Sequence, residues 1–142
     1  MDLLSINITK FQSNIALQKK IIFKRDVVNS ILSYCKMHHP NEGILILRGK
    51  NKKDVLIIES LMVPPMSEYG PYYSGFPIYM LPLDRSIVGT AHSHPSGNAT
   101  PSLTDLHHFT GLIGVIVRYP YEDNDMFAYD SSGKQLEYSV QD

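Results

Sequence analysis

The sequence predicts a mixed α/β fold without internal repeats, and three observations carry that reading. From Asp26 onward, Val27, Val28, Ile31, Leu32 and Cys35 fall on one helical stripe. The run stops at Pro40, which disfavours helix in the residue before it. Beyond it, short apolar runs with β character alternate with turn-forming stretches. The composition, 43% hydrophobic and 19% charged over 142 residues, is that of a packed globular chain. A chain of this length is expected to form one domain with a sizeable core.

Taken in order, residues 1–20 read as an N-terminal extension of undetermined form. Leu4, Ile6 and Ile8 alternate as in a strand, whereas Phe11 and Ile15 are spaced as in a helix. The domain proper is assigned to residues 21–142. After the helix, Gly43 to Leu47 and Val55 to Val63 read as a hairpin around the polar RGKNKKD, whose glycine suits a turn. The stretch from Ser67 to Pro82 is full of Gly, Pro and Tyr and reads as a long loop, with a short strand near Ile78 to Leu81. Ile87 to His94 is a strand and Ser102 to Thr110 a short helix. Leu112 to Tyr119, Met126 to Tyr129 and Gln135 to Val140 are later strands.

Several function classes are excluded early. A formal net charge of −1 lacks the concentrated positive charge that nucleic acid or an anionic membrane surface selects. No stretch approaches the ~20 apolar residues of a membrane span, so a soluble protein is expected. The start MDLLSINITKFQ lacks the basic and apolar regions of a signal peptide. A single cysteine, Cys35, forms no internal disulfide, and the glycosylation triplets at Asn7 and Asn98 matter only in a secretory route. The expected compartment is the cytosol. Arg48, Lys50, Lys52 and Lys53 read as a solvated hairpin tip, and oligomeric state has no signature here.

Chemistry concentrates in AHSHPSGNATPSLTD. His92 and His94 lie two apart on a predicted strand, so both imidazoles face one side. That is half of a tetrahedral metal site. Pro95 to Pro101 supplies a turn, and Asp105 returns in the first turn of the next helix as a third ligand, leaving the fourth position open. Each part also has a structural reading. Ser102-x-x-Asp105 resembles a helix capping box, and a histidine pair on a strand is commonly hydrogen-bonded or solvent-facing. A closed structural zinc site would want four protein ligands, and a zinc deaminase a Pro-Cys-x-x-Cys segment. Neither fits a chain whose one cysteine lies in the first helix.

The conjunction of His92-Ser93-His94-Pro95 with Ser102-Leu103-Thr104-Asp105 resembles the signature of the JAMM (MPN+) metalloproteases. The linker from Pro95 to Pro101 matches that signature in length. PNEGILILRG resembles the upstream segment that presents the family's glutamate, here Glu42. The short form with SIVGTAHSHPSG is most similar to archaeal members, and HPSG-x-x-x-PS-x-x-D also resembles the RadC branch. The order of these segments covers most of residues 21–130. Residues 1–20 have no counterpart, and no room exists for the long insertions of specialised eukaryotic deubiquitinases.

The resemblance implies a curved mixed sheet flanked by helices, similar to cytidine deaminases. It also implies a Zn2+ ion held by His92, His94 and Asp105, able to make a nucleophile of water near neutral pH. Glu42 would act as general base and acid, and Ser102 as a donor to the developing oxyanion. The implied reaction is removal of ubiquitin-like modifiers from protein lysines, with those modifiers and their conjugates as partners. The substrate tail would lie along a strand edge, with Tyr69 to Tyr79 as a wall. Two alternatives stand beside it: a non-catalytic MPN scaffold, and a metallopeptidase acting on small peptides or sulfur-carrier fusions. His107 is expected on a different helix face from Asp105, and His108 in solvent or just behind the ligands. His38 and His39 suit a helix C-terminus and receive no catalytic role.

Overall fold

The structure, a computed structural model, describes residues 19–64 and 84–142. It opens with β1 (Lys20–Lys24), which the sequence reading left at the border of the extension. KIIFK is too short to show a period, yet it buries Ile21 and Phe23 in alternation. Helix α1 (Arg25–His38) follows directly and buries the stripe predicted from its spacing, Val27, Val28, Ile31, Leu32 and Cys35. Then come β2 (Ile44–Asn51), β3 (Val55–Met62), β4 (Ile87–His94), α2 (Leu103–His107), β5 (Ile113–Arg118) and β6 (Met126–Tyr129). The last two elements are β7 (Gln135–Leu136) and β8 (Ser139–Gln141).

These strands form one eight-stranded sheet in the order β7-β6-β5-β4-β2-β3-β1-β8. It is mixed: β1 pairs parallel with β3 and β8, and β4 with β5, while the remaining pairs are antiparallel. Strands β7 and β8 sit at opposite ends of the order, yet only Glu137 and Tyr138 separate them in sequence. So short a bridge forces the two ends of the sheet to approach, which is the physical origin of the curl. Tyr138 occupies the bridge. Its hydroxyl donates to the Met126 carbonyl at 2.8 Å, and its ring meets Phe23 of β1 edge-on at 5.1 Å.

Inside the curl, α1 packs with Phe23, Leu45, Leu47, Ala91, Val115 and Val117 into one apolar core. Strand alternation assigns these residues to one face, and their neighbours Ile44, Ile46, His92, His94 and Ile116 to the other.

Three expectations are corrected. The predicted turn RGKNKKD is mostly strand, since β2 continues to Asn51 and only residues 52–54 form the connection. Gly49 serves close packing rather than a turn. It lies at a register shift, and a Cβ there would fall 1.8 Å from the Ile57 carbonyl oxygen. The single strand expected from Gln135 to Val140 divides in two, because Glu137 and Tyr138 cross from one sheet end to the other. The helix expected over Ser102 to Thr110 is shorter, with Ser102 as its cap. The proposed strand near Ile78 to Leu81 and the tyrosine-rich stretch from Tyr69 to Tyr79 lie outside the described residues. Among the described residues no helix is long and apolar enough to cross a membrane.

Beside the C-terminal end of β5, Arg118 Nε donates to buried Asp125 at 2.9 Å, and the Glu122 N–H reaches the other carboxylate oxygen at 2.9 Å. Burial pushes the Asp125 carboxyl up, but the Glu122 N–H and the Arg118 guanidinium outweigh it and hold it below the usual carboxylate range. A carboxyl depressed in the folded state stabilises the fold above its unfolded pKa of ~3.9, and that contribution fades as pH falls through the folded value. Urea midpoints should therefore drop more steeply below pH 4 in the wild type than in Asp125→Asn. Identical slopes would remove Asp125 from the acid transition.

Candidate metal centre

The end of β4 builds the centre. Alternation along the strand sends Ala91 and Ser93 under α1, where both are buried, and turns Thr90, His92 and His94 to the opposite face. The strand stops where the His94 carbonyl accepts two N–H groups, from Gly97 and Tyr119, each at 3.2 Å. Gly97 then adopts φ +84°, a left-handed conformation open to glycine, and the chain turns back toward α2. Tyr129 of β6 holds this turn by donating its hydroxyl to the Ala99 carbonyl at 2.7 Å. The turn ends at Ser102, whose hydroxyl accepts the Asp105 N–H at 3.0 Å while its own N–H donates to Asp105 Oδ2 at 2.8 Å. The capping box is therefore real. It also aims the Asp105 carboxylate at the two histidines.

The His92 and His94 Nε2 atoms lie 3.1 Å apart, and each is 3.1 Å from an oxygen of Asp105. His94 Nδ1 lies 2.6 Å from the Asn98 carbonyl. A carbonyl only accepts, so Nδ1 carries the hydrogen and neutral His94 presents a lone pair at Nε2, the form that ligates metals. With Nε2 of both imidazoles unprotonated, these atoms and the Asp105 carboxylate would present three lone-pair donors to one point, an arrangement that a cation among them would stabilise. Their separations match the ~3.3 Å edge of a tetrahedron built with bonds of 2.0–2.1 Å. Among the described residues this is the group of His, Cys, Asp and Glu side chains able to hold an ion. The donor set, two imidazoles and one carboxylate, suits a divalent metal with an open position.

The three groups are also electrostatically coupled. Burial pushes the Asp105 carboxyl up, but hydrogen bonds with His92 and His94 and the Ser102 N–H hold it far below the carboxylate range. It is ionised at any physiological pH. Burial alone would lower His94, and the Asp105 carboxylate and Asn98 carbonyl reverse that and leave it raised.

Glu42 lies two residues ahead of β2. Ile44 lies opposite His92 in the antiparallel register, so Glu42, two residues earlier, arrives beside the imidazoles. Burial raises its carboxyl pKa, the two histidines pull it partly back, and Asp105 adds to the rise. Glu42, His92, His94, Ser102 and Asp105 all line one cleft of about 740 Å³. Its walls are mostly small and polar, with Thr90, Ser96, Asn98, Thr100 and Thr104; Ile44 and two prolines are the apolar exceptions.

Other residues singled out in the sequence fall elsewhere. His108 lines the cleft, whereas His107 is exposed on α2 and outside it. His38 packs on Tyr34 with ring centroids 4.3 Å apart. His39 stacks on Tyr119 at 4.7 Å and shares a 2.6 Å hydrogen bond with the Tyr121 hydroxyl. Arg48 is tied to Asp84 at 3.0 Å rather than free at the hairpin tip. Missed by sequence reasoning were Tyr129, Ser93 and the Asn98 carbonyl. Tyr129 and the carbonyl act across long separations or through backbone, which no side-chain pattern records. Ser93 stood inside the motif, but its contact partner lies on another strand.

Comparison with known proteins agrees with this geometry. A model of the family described as prokaryotic homologs of the JAB domain matches residues 24–131. A relative in Haloferax volcanii, named a probable metalloprotease, is 31% identical over 124 residues, covering 82% of this chain and 77% of that protein. One similar solved structure is described as JAMM, a metalloprotease-like zinc site in the proteasome and signalosome. It shares 30% identity at a TM-score of 0.63, covering 87% of this chain and 100% of that one. A JAB1/MPN domain protein from Archaeoglobus fulgidus shares 33% identity at 0.64, covering 87% and 99%.

Removing the tether on the 95–101 turn tests how the ligands are held. Tyr129→Phe should weaken divalent-ion affinity about tenfold, the lower end for loss of an outer-shell partner. Competition with a chelating dye measures it, and unchanged affinity would show that the turn holds its shape alone.

Proposed function

The chain belongs to the prokaryotic JAB branch of the JAMM (MPN+) family, and on that footing we propose that it is a zinc-dependent isopeptidase. In this reading it acts in the cytosol and removes ubiquitin-like modifiers from protein lysines. The observation that carries the hydrolytic part is the meeting of three metal-ligand atoms with a half-buried carboxylate, Glu42, in one open cleft. A non-catalytic scaffold would have no use for the complete set.

When bound by His92, His94 and Asp105, zinc supplies Lewis acidity and lowers the pKa of water toward ~7. His94 is held in its ligating tautomer by the Asn98 carbonyl, and Asp105 is kept ionised by its neighbours. Glu42 accepts the proton of the attacking water and delivers it to the leaving lysine amine. Burial raises its basicity toward the range in which one carboxylate can do both. The Ser102 hydroxyl accepts from the Asp105 N–H, which leaves its own hydrogen for the substrate carbonyl oxygen as charge builds there. Such a donor is typically worth ~3 kcal/mol in the transition state.

The cleft supports the choice of substrate. Small hydroxyl and amide side chains around the ligands suit an extended tail of small residues, and among the described residues Ile44 is the one large aliphatic side chain in the lining. The buried, unpaired Cys35 accords with a reducing compartment.

The zinc-loaded chain should cleave a ubiquitin-like protein joined through its C-terminal glycine to a lysine side chain, faster than the same tail fused linearly. Glu42→Ala should lower kcat by at least ~10²-fold while zinc content stays at the wild-type level. Preference for the linear fusion or for free peptides would reassign the substrate. Cleavage indifferent to Glu42→Ala would overturn the mechanism.

A further inference from the structure

Glu42 just ahead of β2 and the histidines on β4 come from different segments, yet the proposed reaction needs them in fixed relation. One buried hydroxyl supplies that relation. Ser93, between the two histidines, is fully buried and points away from the cleft. Its N–H donates to the Gly43 carbonyl at 3.1 Å, an ordinary contact between antiparallel neighbours. The reciprocal contact goes to its side chain: the Gly43 N–H donates to Ser93 Oγ at 2.9 Å. That N–H belongs to the peptide joining Glu42 to Gly43, so the hydroxyl orients the peptide plane on which the Glu42 side chain is carried. Both Ser93 and Cys35 of α1 are buried. Gly43 allows the approach, since a Cβ there would lie 2.7 Å from Tyr34 Cε1 on α1.

We propose that Ser93 is a positioning residue: its hydroxyl couples the Glu42–Gly43 peptide to the ligand strand, so that base and ligands keep one geometry. The inference rests on Glu42 being the base. Ser93 is fully buried and outside the cleft lining. Its loss acts through Glu42 alone and leaves His92, His94 and Asp105 in place.

The test uses the full zinc-loaded chain and a quenched peptide with a Gly-Gly-lysine isopeptide bond. Ser93→Ala should keep its zinc and KM while kcat falls roughly 10–100-fold, the scale of a ~1 Å misplacement. Ser93→Thr, which keeps a hydroxyl, should restore kcat. Ser93→Cys, close in shape but a weaker acceptor, should fall between. Cys35→Ala, which spares the Gly43 contact, should stay near wild type. In a Glu42→Ala background, Ser93→Ala should bring no further loss. An equal loss with and without Glu42, or loss of zinc, would overturn the proposal.

Hydrogen exchange at the Gly43 amide gives a readout independent of turnover. Protection should be high in the wild type and Ser93→Thr and lost in Ser93→Ala; equal protection in all three would overturn the proposal. If the wild type cleaves no isopeptide, the functional reading fails, and the amide still decides whether Ser93 holds the Glu42–Gly43 peptide.

Discussion

The site depends on the antiparallel register between β2 and β4. With Ile44 opposite His92, Glu42 reaches the imidazoles. A slip of one residue would reverse the faces of the moving strand. Leu45 and Leu47, or Ala91 and Ser93, would then leave the core beneath α1, and the polar set would turn inward. Core burial thus enforces the arrangement of the site, although the side chains packed beneath α1 face away from the cleft. Apolar area worth roughly 25 cal/mol per Å² guards a geometry that polar contacts alone would hold weakly.

Helix α2 shows the opposite dependence. It has five residues and buries none of them, so packing contributes little to its persistence. Its order rests on the capping box, and the Asp105 carboxylate that completes the box also faces His92 and His94. Cap and ligand are one group. The capping reading of Ser102 and Asp105 is met in the fold, and the same arrangement leaves the Asp105 carboxylate placed where it could hold a metal ion.

What was legible in the sequence follows from how locally each feature is encoded. The stripe of α1 and the bounds of β4 rest on periodicity over neighbouring residues, and both appear as expected. The grouping of His92, His94 and Asp105 needed only a strand, a turn and a helix start. Glu42 is different: it lies some fifty residues away, and only resemblance to a family marked it. Gly49 was misread because a glycine in a polar stretch signals a turn equally well as a close approach, and the partner backbone, Ile57, is invisible locally. The division between β7 and β8 was hidden for a related reason. Residues 135–140 look like one strand until the sheet order shows that their halves pair at opposite ends. Tyr129 and Ser93 act through contacts 30 and 50 residues distant in sequence.

The crossing at Glu137 and Tyr138 has a consequence for how this molecule meets its neighbours. An open sheet presents unpaired N–H and C=O groups along both outer strands, a template on which other chains can polymerise. Here the outer strands of the described sheet are two and three residues long, drawn from a single passage of chain. Each offers a ladder too brief to recruit a foreign strand. Under the proposed function, an extended substrate tail would then find no long outer edge to pair with in the described sheet, and its binding would fall to the cleft.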